Sequence, residues 1–87
     1  MEKLLEMVDD LIRDLEARAP ARESVEWYLL NNLLNLREVA ANDSSSHDVE
    51  NAARVLNRFA VDSMDWGDPL FKAVTAITEQ AERAVPN

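Results

Sequence analysis

Apolar side chains recur along this chain at intervals of three and four residues. That spacing gathers them on one side of an α-helix when each residue advances by roughly 100°. The first run holds Leu4, Leu5, Val8, Leu11, Ile12 and Leu15, and it predicts a helix over 2–18 that stops where Pro20 disfavours helical backbone at Ala19. A second run predicts a helix over 21–41, with Val25, Tyr28, Leu29, Leu33, Leu36 and Val39 on its main face, broken by Asn42-Asp43-Ser44-Ser45. A third, over 46–64, aligns Val49, Ala52, Ala53, Leu56, Phe59 and Ala60. A fourth, over 69–84, aligns Leu70, Phe71, Val74, Ile77 and Ala81, with Val85 continuing the stripe.

The punctuation between these runs agrees with helices. Ser45 with Asp48 three residues on has the form of a capping box, in which a hydroxyl and a carboxylate satisfy orphan amides at a helix start. Gly67 suits the left-handed conformation that ends many helices, and Asp68-Pro69 supplies an N-cap followed by a first-turn proline. No strand-like alternation is present. Connections of a few residues place consecutive helices antiparallel, so the expected fold is all-α: a small up-and-down bundle of about four amphipathic helices in one domain spanning 1–87. A helical hairpin that dimerises is the alternative architecture.

Size and composition sharpen this picture. The chain has 87 residues and no cysteine, so neither disulfides nor a cysteine-based zinc site can support a small core, and association is a natural supplement to helix packing. Seventeen acidic against nine basic residues give a net charge of −8, which repels phosphate backbones and argues against direct nucleic-acid binding. The densest apolar stretch, Trp27 to Leu36, is interrupted by Asn31, Asn32 and Asn35, so no membrane span is expected. The acidic start Met1-Glu2-Lys3 through Glu6 does not resemble a secretory signal, and a cytoplasmic location is expected.

Two features carry functional expectations. In the second helix Trp27, Leu30, Leu34 and Ala41 form an apolar stripe almost opposite the main one. A helix apolar on two sides is either enclosed by its own fold or touches another chain, and a tryptophan beside two leucines is the kind of anchor that dominates interfaces. Trp27, Leu30 and Leu34 are therefore the expected protein-interface residues, for a homodimer or for a partner protein. Asn32, within the main stripe, has the character of an asparagine that specifies a helix–helix contact. The second feature is the first helix, where Glu2, Glu6, Asp10 and Asp14 stand at successive i, i+4 positions and form an acidic face suited to a basic partner. Against such a role, Asp9 is spaced to pair with Arg13, and Asp14 with Arg18.

Catalytic chemistry is poorly supplied. His47 is the sole histidine and Ser44, Ser45 and Ser46 lie too close to it in sequence to form a nucleophile–base pair. Asp62, Asp65 and Asp68 surround Trp66 and Gly67 without the alternate spacing of a calcium loop, and are expected as turn and cap residues. Asp62-Ser63-Met64 resembles the Asp-Ser-Leu/Met site where acyl carrier proteins bear phosphopantetheine. That family places the serine near mid-chain, whereas here 24 residues follow Ser63, and the resemblance covers three positions. No catalytic, cofactor-binding or metal-binding residue is assigned. The expected function is a non-enzymatic interaction or regulatory module that self-associates through helix–helix contacts. The alternative is an acidic inhibitor, immunity or antitoxin-type protein that occupies a basic site on a nuclease or nucleic-acid-binding partner.

Overall fold

The computed structural model describes residues 2–42 and 46–84, which form four helices: α1 (Glu2–Ala17), α2 (Val25–Ala41), α3 (Ser46–Ser63) and α4 (Pro69–Ala84). They build an up-and-down bundle. Each helix packs on its neighbour in sequence and α4 returns to α1, closing a ring in which the backbones of the diagonal pairs stay apart. Its dimensions, 35 × 22 × 19 Å, are those of helices of this length standing side by side.

The interior is aliphatic. Leu4, Val8 and Leu15 of α1, Leu29, Leu33 and Leu36 of α2, Val49 and Leu56 of α3 and Val74 of α4 are wholly removed from solvent. Each such side chain contributes about 1.5–3 kcal/mol relative to exposure, and together they hold the ring shut. Alanines fill much of the remaining core, among them Ala52, Ala53 and Ala60 of α3 and Ala81 of α4. Among the described residues Thr78 is the buried polar one, and its hydroxyl donates to the Thr75 carbonyl at 2.9 Å, so it enters the core with its donor satisfied.

The helix ends explain where the sequence pattern was too generous. The second helix begins at Val25 rather than at residue 21, because Ser24 takes extended backbone as N-cap and its hydroxyl accepts from the Trp27 amide at 3.2 Å. Ala21, Arg22 and Glu23, all acceptable helix formers, are instead drawn into the preceding turn, in which the Ser24 amide donates to the Ala21 carbonyl at 3.0 Å. Two residues of this connection have left-handed backbone, Ala19 at φ 48° and Glu23 at φ 68°. Each carries a Cβ in a region that glycine occupies more easily, at a cost of about 1–2 kcal/mol.

At the other connection, Gly67 does not adopt the left-handed conformation expected of it. The chain turns there through carboxylates: Asp65 Oδ1 accepts from the Gly67 amide at 3.0 Å and Asp68 Oδ1 from the Leu70 amide at 2.8 Å. Asp65 and Asp68 are thus turn and cap residues, with Pro69 opening α4. The expected Ser45 capping box and the burial of Val85 fall outside the described residues.

Leu33→Ala is expected to cost about 2–5 kcal/mol, and Ser24→Ala about 1 kcal/mol, in urea denaturation followed by circular dichroism. Equal effects for the two would contradict the assignment of Leu33 to the core and Ser24 to a cap.

Candidate functional site

Among the described residues the backbone of α2 runs beside those of α1 and α3, and one side of this helix faces away from the bundle. At roughly 100° per residue, Leu29, Leu33 and Leu36 point inward, and Trp27, Leu34 and Ala41 fall on the far side, with Leu30 at the edge toward α1. Burial only partly follows that order: Leu30 packs on the core and is half-buried, Trp27 is also half-buried although it lies farthest round the helix, Leu34 keeps 38% of its surface exposed and Ala41 is exposed. Trp27, Leu30 and Leu34 therefore form a continuous line along one helix, from the core margin to open solvent.

The main face of α2 is narrower than its sequence implied. Tyr28 is 43% exposed, and Val25, in the first turn beyond the ring, is also exposed. Tyr28 lies at the rim between α2 and α3, its ring edge-on to Trp27 at 4.9 Å and tilted toward Phe59 of α3 at 6.4 Å. A phenol at a rim packs its ring while its hydroxyl stays hydrated, which a central position would forbid. Asn32 is half-buried and satisfied within its own helix, its Nδ2 donating to the Tyr28 carbonyl at 2.9 Å; Asn31 does the same to Trp27 at 2.8 Å. Neither amide reaches another helix through these bonds.

On α1, Glu2, Glu6, Asp10 and Asp14 are all exposed. Asp14 pairs with Arg18 at 3.2 Å as its spacing implied. Asp9 does not pair with Arg13: Arg13 binds Asp10 at 3.4 Å, and Asp9 crosses to Arg37 of α2 at 2.9 Å. The cross-helix pair is favoured because Arg37 leans toward α1, and the two groups flank a shallow polar groove lined also by Ile12, Arg13 and Glu16. All of these pairs are substantially exposed, so each adds no more than about 1 kcal/mol.

Sequence reasoning missed a second surface. Val55 and Val61 of α3 are exposed on the outer side of a helix that otherwise reads as one-faced, and Trp66 in the α3–α4 connection is 66% exposed. The indole of Trp66 stacks on Phe71 at 6.0 Å and its Nε1–H reaches the Val61 carbonyl at 3.5 Å. The signal in the sequence was two valines off the main stripe of the third helix, followed by a tryptophan in a turn. No residue of the chain's aromatic set, Trp27, Tyr28, Phe59, Trp66 and Phe71, belongs to the buried core.

Among the described residues no helix is long and apolar enough to cross a membrane. No protein-family model matches the chain, and no curated protein or solved structure matches it.

Leu34→Glu is expected to cost about 1–2 kcal/mol for the covered part of the leucine and to leave the fold intact, whereas Leu33→Glu, one residue away, buries an unpaired carboxylate and should abolish cooperative folding. Thermal melts of the two variants test the placement of the line. A collapse of Leu34→Glu would return that residue to the core.

Proposed function

We propose that this chain is a non-enzymatic protein-interaction module that works through helix–helix contacts and self-associates, and that Trp27, Leu30 and Leu34 form a contact surface for a protein partner. The observation that carries the reading is the partly exposed apolar line on the side of α2 turned away from the core. An isolated bundle derives no stability from leaving parts of Leu34 and Trp27 in water, and a partially buried tryptophan flanked by leucines has the composition of an interface anchor. Leu30, resting on the core, gives that line a rigid base, which lowers the ordering cost of contact.

An acidic inhibitor acting through α1 draws less support. Asp10 already pairs with Arg13 of its own helix and Asp14 with Arg18 just beyond its end, and Asp9 is engaged in tying α1 to α2. Glu2 and Glu6 remain exposed at its first turns, too few to make a dominant anionic site.

The test uses wild type and Leu34→Glu as paired baits in extract of the native cell, at low and at high salt. A protein held by wild type and lost with Leu34→Glu, and insensitive to salt, is the expected result. Identical sets on both baits would overturn the assignment of the α2 line. Capture that vanishes with salt or with Asp10→Lys/Asp14→Lys would favour the acidic reading.

A further inference from the structure

On the outer side of α3, exposed apolar side chains and charges of both signs lie together. With Val49, Leu56 and Ala60 directed into the core, Arg58 falls opposite them and Asp62, one turn on, lies close to the same line. Val55 and Val61 stand on either side of that line. Among the described residues neither Arg58 nor Asp62 takes part in an ion pair within the fold, and both are exposed. The preceding turn is neutralised internally, since Arg54 binds Glu50 at 2.7 Å.

We infer that α3 pairs with α3 of a second copy, antiparallel about a two-fold axis near Ala60, so that Arg58 of each copy faces Asp62 of the other. This deepens the self-association part of the proposed function, and it leaves the α2 line, on a different side of the bundle, free for another partner. The choice of occupant follows from charge order. A basic group followed one turn later by an acidic one is its own complement when the helix is reversed, so both ion pairs form at once in an isologous contact. A parallel pairing would set like against like. The face is also neutral within a chain of net charge −8, so two copies meet here without the repulsion that the acidic face of α1 would impose. The ion pairs fix orientation and register, while affinity comes from covering Val55, Val61 and the adjoining Tyr28 and Trp66.

The experiment is sedimentation equilibrium on R58D, D62R, an equimolar mixture of the two, the swapped double variant R58D/D62R, and Leu34→Glu, with helix content checked by circular dichroism. Each single reversal places like charges opposite each other twice and is expected to weaken self-association by at least about tenfold. The mixture is expected to recover it as a heterodimer, because one chain then presents two acids to two bases. The swapped double variant should recover it as a homodimer, and Leu34→Glu should leave it intact. Where a single reversal loses helix content, the swapped double variant decides: a dimer supports the inference and a monomer overturns it. Self-association unaffected by both reversals, a mixture no stronger than its components, or a wild type that stays monomeric would each overturn it. Loss in Leu34→Glu with the reversals intact would move the contact to α2, overturning this inference while the interaction reading stands. Identical captured sets on the two baits would instead remove the α2 assignment alone.

Discussion

The bundle depends on the packing of aliphatic side chains along one seam. Every helix contributes to it, but α1 and α2 supply most of its leucines, and the alanines of α3 complete the close packing. A seam of Leu, Val, Ile and Ala can be filled densely by side chains with few and well-defined rotamers. It is also narrow. No aromatic ring is fully enclosed, and the rings occupy rims and connections, where one side remains in contact with water.

From that narrowness follows the character of the surface. A larger interior would have absorbed Tyr28, Phe59 and Phe71, and the outer sides of α2 and α3 would then have read as ordinary polar faces. Instead, apolar area is distributed over two separate outer regions, one on α2 and one around the second half of α3. The ion pairs do not organise this arrangement. They are substantially exposed and mostly local in sequence, and among the described residues Asp9–Arg37 is the pair that links two helices. Charge here governs which surfaces can approach one another, and hydrophobic burial governs whether the chain folds.

Four helices and their inward faces were legible because periodicity integrates over many residues: Leu4 to Leu15 and Leu70 to Ala81 are buried where the pattern places them, apart from the half-buried Leu5 and Phe71. The start of α2 was not, since Ala21-Arg22-Glu23 has helical propensity and only the Ser24 hydroxyl, by binding the Trp27 amide, draws the boundary later. Gly67 misled for a related reason. A glycine before a helix suggests a left-handed turn, but two aspartates supplied the bonds by side chain. Tyr28 was assigned to the core from its angular position alone, and the rim position emerged only with the placement of α3. The same limit applied to Arg37, whose partner sits on another helix, and to Val55 and Val61, whose exposure depends on which neighbours a four-membered ring leaves absent.

The aromatic residues share one further property. Trp27 and Tyr28 open α2, Phe59 lies near the end of α3, Trp66 is in the connection that follows, and Phe71 begins α4. In an up-and-down bundle these four places meet at one pole. The opposite pole, where α1 begins and α4 finishes, carries no chromophore. Intrinsic fluorescence and near-ultraviolet dichroism of this protein consequently report on half of the molecule, whereas far-ultraviolet dichroism reports on all of it. Coincidence of those signals during unfolding measures how firmly the seam couples the two poles into one cooperative unit.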